Sequence, residues 1–138
     1  MHIYIGGAHN GKRDFVKATL QNADVQWLEG RLEGPMDTRH PHNSDCQTTV
    51  IAGIEKWLAN SDLSEGDAID YVMETVSGDN VIVILTDIGR GIVPMDADQR
   101  KLRDVCGRLY QRLIAEADEV TRIWYGLPQT LKKRGEVL

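Results

Sequence analysis

The sequence predicts an α/β fold of three layers, a mostly parallel sheet between helices. An apolar opening runs straight into a glycine-rich turn and a helical pattern around Gly6–Arg13. Asn80-Val81-Ile82-Val83-Ile84-Leu85 is a continuous β-branched run of the kind buried on both faces of a parallel sheet. Strand-like and helical segments alternate along the chain, which implies right-handed crossovers between parallel strands.

Taken in order, His2 to Ile5 reads as the first strand, and Lys12 to about Gln21 as the helix after the turn. Val25 to Leu28 is a short second strand. The segment from Arg31 to Asp45 carries turn formers and little apolar periodicity, so it reads as a mobile loop. Val50, Ile51, Ile54, Trp57 and Leu58 fall on one face of an expected second helix. Ser64 has the position of an N-cap for a third, with Glu65 and Asp67 in its first turn and Ile69, Val72, Met73 and Val76 facing inward. The strand at 80–85 follows. The longest helix starts near Asp96, with Gln99 placed to complete a capping arrangement, and runs to about Ala117. Its apolar stripe is Leu102, Val105, Cys106, Leu109, Leu113 and Ile114. Arg108 and Arg112 lie off that stripe and are expected on a solvated face. Val120 to Tyr125 is the last of four expected strands.

Size and composition set limits. A chain of 138 residues suits one domain. Hydrophobic residues make up 41% and charged ones 27%, ordinary for a soluble protein. The net charge of −5 argues against a broad nucleic-acid or anionic-membrane surface, so any phosphate affinity must be local. No apolar run approaches the roughly 18 residues needed to span a bilayer, and no basic-plus-apolar leader precedes the first strand. Cys46 and Cys106 are far apart and form no metal-binding pair. A cytoplasmic protein is expected.

Gly6-Gly7-Ala8-His9-Asn10-Gly11-Lys12 fits the phosphate-loop pattern G-x-x-x-x-G-K in its required strand–loop–helix setting. In that pattern bare backbone N–H groups wrap phosphate oxygens, the helix N-terminus adds positive charge, and the lysine neutralises the terminal phosphates. This makes the expected fold P-loop NTPase-like, with residues 1–138 as a single nucleotide-binding domain. Arg13 stands where a magnesium-binding Ser or Thr is usual; it cannot ligate a metal, but it can grip phosphate directly. His9 is either a loop filler or a phosphate hydrogen-bond donor. Ligands in open α/β sheets sit beyond the carboxyl ends of the strands. That places the Gly6–Lys12 loop, the Glu29-Gly30 corner and the Asp87–Pro94 loop on one rim. Asp87, following the strongest strand, is then placed to hold Mg2+ or its water; the alternative is a turn former or helix cap.

The run Gly89-Arg90-Gly91-Ile92-Val93-Pro94 is followed by Arg103-Asp104, Gly107, Gln111-Arg112-Leu113, Ala117-Asp118-Glu119-Val120, Gly126-Leu127-Pro128 and Lys132. Together these resemble the adenosylcobinamide kinase/adenosylcobinamide-phosphate guanylyltransferase family, and the Gly6-Gly7-Ala8 and Gly11-Lys12 opening is similar to that family's loop. The likeness covers the opening strand and loop and most of positions 81–132. It implies the fold of P-loop kinases, a homotrimer, GTP or ATP with Mg2+, and adenosylcobinamide as acceptor. It also implies GMP transfer through a guanylylated histidine. Nucleotide contacts are implied for Gly6 to Arg13, for Glu29, Gly30 and Arg31, and for Asp45, which looks like part of the family's D/E-C-x-T segment and would join Asp87 on the metal. The chain departs from the pattern at Arg13, at Thr86-Asp87 in place of Asn-Glu, and at Tyr110 in place of Asn. The segment that carries the family's histidine is much shorter here and retains only Arg39-His40-Pro41-His42. His40 or His42 is then the candidate nucleophile, or both are solvated loop residues. The expected function is a nucleotide-binding enzyme of cobalamin biosynthesis, Lys12 stabilising charge on the migrating phosphoryl group. A catalytically degenerate nucleotide-binding or assembly protein of the same fold is the alternative.

Overall fold

The structure, a computed structural model, describes residues 1–6, 11–20, 25–32, 48–77, 80–86, 96–133 and 136–137. The described elements are β1 (His2–Gly6), α1 (Lys12–Thr19), β2 (Val25–Glu29), β3 (Thr48–Ala52), α2 (Ile54–Ala59), α3 (Glu65–Thr75), β4 (Val81–Thr86), α4 (Ala97–Glu116), β5 (Glu119–Trp124), β6 (Leu127–Lys133) and β7 (Glu136–Val137). Among the described residues they form one seven-stranded sheet in the order β2-β3-β4-β1-β5-β6-β7. The first five strands in that order are parallel, and β6 and β7 add antiparallel pairings at one edge. The α/β, mostly parallel expectation holds.

Strand alternation divides the core into two layers. Ile3, Ile51, Val81, Val83 and Leu85 pack on one face with Ile54 of α2, Ile69 and Val72 of α3, and Cys106, Leu109 and Leu113 of α4. Tyr4, Val50, Ala52 and Ile84 pack on the other with Val16 and Phe15 of α1. Helices therefore cover both faces, as the nearly unbroken apolar runs of β3 and β4 require.

The caps of the two long helices form as expected. Ser64 Oγ accepts from the Asp67 N–H at 3.3 Å. At α4, Gln99 N–H donates to Asp96 Oδ1 at 2.8 Å and the Asp96 N–H to Gln99 Oε1 at 3.1 Å, a reciprocal capping box.

Two expectations need correction. Val50 and Ile51 do not share a helix with Ile54, Trp57 and Leu58; they belong to β3, and α2 holds only six residues. Gly53, at φ +72°, separates the two elements, and the β-branched Thr-Thr-Val-Ile run takes the strand. Leu127–Lys133 and Glu136–Val137 are strands that the polar sequence conceals, because they lie at the antiparallel edge of the sheet. Arg108 and Arg112 are solvated as expected but also pair across to α3, with Glu65 and with Asp70 (3.4 Å). The expected loop at Arg31–Asp45 lies outside the described residues from 33 onward.

Candidate nucleotide site

The carboxyl ends of β1 and β4 lie side by side, with Gly6 in register with Thr86. Both chains leave the sheet there, toward segments 7–10 and 87–95 that lie outside the described residues. Gly6 is demanded by packing: a Cβ would run into the Ile123 carbonyl oxygen of β5. The chain re-enters at Gly11, which caps α1 at φ +79° without any side-chain cap bond. The N–H groups of the first turn are thus not spent on a side-chain cap, as a phosphate cradle requires.

Lys12 opens α1 and is only 3% exposed. Burial lowers its pKa, the neighbouring Arg13 charge lowers it further, and the Glu55 carboxylate opposes both. A cation so deeply placed at the head of a helix needs anionic company.

Arg13 is held elsewhere. Its Nε donates to Glu29 Oε1 and a terminal nitrogen to Glu29 Oε2, both at 2.8 Å, a bidentate fork. Hydrogen bonding to Arg13 is the main cause holding the Glu29 carboxyl below its ordinary pKa, and Trp27 Nε1 adds a bond at 3.3 Å. Lys17 lies over the Trp27 ring, 5.2 Å from its centroid, so α1 is tied twice to β2. Gly30, at φ +70°, donates its N–H to the Ala52 carbonyl at 2.7 Å. A Cβ on Gly53 would lie 2.8 Å from Glu29 Oε2 and 2.9 Å from the Gly30 nitrogen. The ends of β2 and β3 meet through two glycines at positive φ, and at Gly53 there is no room for a side chain. Arg31 is exposed beyond them.

Of the residues singled out in the sequence, the structure brings together Gly6, Gly11, Lys12, Arg13, Glu29 and Gly30 on one rim. Gly7, Ala8, His9, Asn10, His40, His42, Asp45 and Asp87 lie outside the described residues. Thr86 directly precedes Asp87 at the site. β3, by contrast, starts at Thr48, so the strand end nearest Asp45 in sequence is the amino end, on the rim opposite Gly6.

Three residues join the site without having been singled out for it. Glu55 follows Gly53 at the carboxyl end of β3, and its Oε2 is buried with no hydrogen-bond partner. Its charge acts on Lys12, on Arg13 and on the Cys106 thiol, which burial first and Glu55 second push up to about 12. Tyr110, from α4, donates its hydroxyl to the Thr86 carbonyl at 3.0 Å and so fixes the end of β4. Gly126, in the β5–β6 turn, approaches Gly11 to within 3.6 Å of where a Cβ there would sit. The signal for Glu55 was a glycine directly after a β-branched run, which marks a strand end.

Among the described residues no cluster of three His, Cys, Asp or Glu side chains can hold a metal. The rim nevertheless fits Mg2+, which takes one or two carboxylates plus substrate phosphates: Glu55 offers a hard oxygen that accepts no hydrogen bond from the described residues. A cleft of about 380 Å³, lined by His2, Thr48, Asn80 and Glu119 among others, lies on the opposite rim, away from these groups.

The sequence matches the family described as Cobinamide kinase / cobinamide phosphate guanyltransferase over residues 28–131. The chain belongs to this family. The matched span takes in Glu29, β3, Glu55, β4 and α4, and begins after the Gly6–Arg13 loop. A curated relative, the Bifunctional adenosylcobalamin biosynthesis protein CobU of Salmonella typhimurium, is 40% identical over 52 residues. That alignment covers 38% of this chain and 29% of the relative, so the chain matches less than a third of that protein's length. A solved structure from Pyrococcus horikoshii OT3 superposes with TM-score 0.62 at 9% identity, covering 100% of this chain and 91% of that one. That likeness supports the fold. Among the described residues no helix is long and apolar enough to cross a membrane.

Proposed function

We propose that the chain is a P-loop phosphotransferase of cobalamin biosynthesis that binds GTP or ATP with Mg2+ on the rim formed by Gly6, Gly11 and Lys12. The observation that carries the reading is the buried Lys12 ammonium at the head of α1, behind a glycine cap that leaves the helix's first N–H groups without a side chain. The acceptor, by family membership, is the hydroxyl of adenosylcobinamide. Loop amides 7–11 hold the phosphates and Lys12 neutralises the charge that develops on the migrating group; catalysis here is positioning plus electrostatics. Mg2+, when bound, draws charge from the phosphate oxygens. Asp87 would hold it, while Asp45 enters only if its segment folds back to this rim. Arg13, in its fork with Glu29, orients the helix that carries Lys12. The proposal further takes the chain to be a cytoplasmic homotrimer.

GMP transfer is left out of the leading proposal, because the segment that would carry its nucleophile is short. If the activity is retained, His40 or His42 is the attacking group. One observation favours a second reading, a binding or assembly protein without turnover: the residue in the magnesium-hydroxyl position is a guanidinium forked onto a carboxylate.

Thermal-shift titration with GTP and ATP at millimolar concentration tests the site, and nucleotide is expected to stabilise the protein. No shift with either removes the nucleotide site. A shift without transfer of the γ-phosphate to adenosylcobinamide leaves the binding protein. Acid-labile label from α-labelled GTP, lost in His40→Ala or His42→Ala, would restore the second activity.

A further inference from the structure

Glu55 is the group the nucleotide reading does not absorb. It stands in the first turn of α2, two residues past Gly53, where β3 ends next to β4. One of its carboxylate oxygens is out of solvent and accepts no hydrogen bond from the described residues. Buried acceptors are nearly always satisfied, and an exception calls for an ion or another partner outside the chain. The surroundings narrow the choice. The Glu55 charge is felt by Lys12 and Arg13 at the start of α1 and by Cys106 on α4, so the carboxylate lies within electrostatic reach of the head of the phosphate-loop helix. Arg13 is forked onto Glu29.

The same rim has a defined shortage. A magnesium–nucleotide complex at such a loop needs hard oxygen donors from the protein, and position 13 supplies a guanidinium, which offers none. Thr86, at the end of β4, has its backbone carbonyl engaged by the Tyr110 hydroxyl.

We infer that Glu55 is a ligand of the nucleotide-bound Mg2+, through its buried Oε2, and supplies the protein oxygen that Arg13 cannot. This rests on the nucleotide reading above. In this reading the metal arrives with the nucleotide and not ahead of it. Glu55 also balances the Lys12 and Arg13 charges, which keeps the loop competent for a metal–nucleotide complex rather than a bare anion.

The test uses Mn2+ in place of Mg2+, with GMP-PNP or AMP-PNP, read by water-proton relaxation enhancement of the ternary complex. Wild type is expected to bind Mn2+ tightly only with nucleotide present. Glu55→Gln, which keeps shape and loses charge, should weaken Mn2+ binding to the protein–nucleotide complex at least about tenfold, the lower end of what losing a metal partner costs. Its affinity for the same nucleotide in EDTA should be unchanged or higher, because one negative charge has left the phosphate site. Glu55→Asp should fall between the two, since the charge remains and the reach shortens. Equal Mn2+ affinity in wild type and Glu55→Gln overturns the assignment while the nucleotide site stands. Loss of nucleotide binding in EDTA by Glu55→Gln overturns it too, by making Glu55 a support of the loop. Absence of nucleotide binding by the wild type overturns both readings together.

Discussion

At the amino ends of β1 and β5, charges are answered by groups of the same chain. The Met1 ammonium donates to Asp118 Oδ2 at 3.0 Å, the Asp118 N–H reaches the Met1 carbonyl at 2.9 Å, and His2 lies between Thr121 Oγ1 (3.0 Å) and Glu119 Oε2 (3.6 Å). At the carboxyl ends of the same sheet the chain leaves through glycines at positive φ, buries a lysine, and leaves a Glu55 oxygen without a hydrogen bond among the described residues. Strands, core layers and hydrogen-bonded ladder are common to both rims, so the contrast is not about holding the sheet together. Among the described residues, one rim pairs its charges within the chain, and the other keeps an acceptor that the described residues do not satisfy. Changes at the carboxyl rim should therefore move ligand binding, and changes at the amino rim only stability.

The largest expected effect is at Lys12. Lys12→Met keeps the buried stem and removes the charge, and should abolish the nucleotide-induced thermal shift while the ligand-free protein still melts cooperatively. A variant that binds GTP or ATP as wild type does would sink the contrast at its centre. Asp118→Asn, on the other rim, is the control and should leave nucleotide affinity unchanged.

Next comes Gly53→Ala. A side chain there is strained by the left-handed backbone, at about 1–2 kcal/mol, and its Cβ meets Glu29 Oε2 and the Gly30 nitrogen. Crowding of that kind adds about 1–3 kcal/mol. Chemical denaturation should show a loss of about 2 kcal/mol or more. Because Glu29 must move, the Arg13 fork is disturbed and nucleotide affinity should fall as well. A stability loss with unchanged affinity would show that the Arg13–Glu29 tie is not needed to place Lys12.

Tyr110→Phe is milder. It deletes the hydroxyl that holds the Thr86 carbonyl and should cost about 1 kcal/mol, the net worth of one such bond. Its diagnostic consequence is a weaker Mg2+-dependent part of nucleotide binding, since Thr86 leads into Asp87.

These positions also show what could be read without coordinates. The stretch Val81–Leu85 announces a buried strand by itself, and Asp96 with Gln99 announces a helix start, because both signals are local in sequence. Gly6, Gly11 and Lys12 were legible for the same reason. β3 was not. Val50, Ile51, Ile54, Trp57 and Leu58 satisfy helical spacing as a set, which masks the glycine signal at Gly53, whose backbone angle shows that strand and helix divide there. Losing β3 hid Glu55, which on a continuous helix would be one more surface acid. β6 was hidden because its residues are largely exposed and polar, and it is a strand through its pairing with β5. The Arg13–Glu29 fork joins residues 16 apart, so the odd residue of the phosphate loop had no visible partner until crossover and sheet brought them together.

The smallest effect belongs to the amino rim, where the contrast predicts a pH dependence of stability without one of binding. The His2 ring stacks on Tyr4 with centroids 4.2 Å apart, and its side chain is 26% exposed. Burial lowers its pKa from the ordinary 6.5; Glu119 pulls the other way and the amino terminus reinforces the lowering. As pH falls, the unfolded chain takes up a proton at His2 before the folded chain does. The stability that the neutral ring contributes is therefore complete above the unfolded value, falls as pH drops toward the lowered folded value, and is gone below it. The melting temperature should decline modestly from about pH 7 to pH 5, over the range where an ordinary histidine titrates, and His2→Gln should flatten that part of the profile. Nucleotide affinity should not differ between His2→Gln and wild type at any pH in that window. If it does, the two rims are coupled through β1, and the division of labour between them is not real.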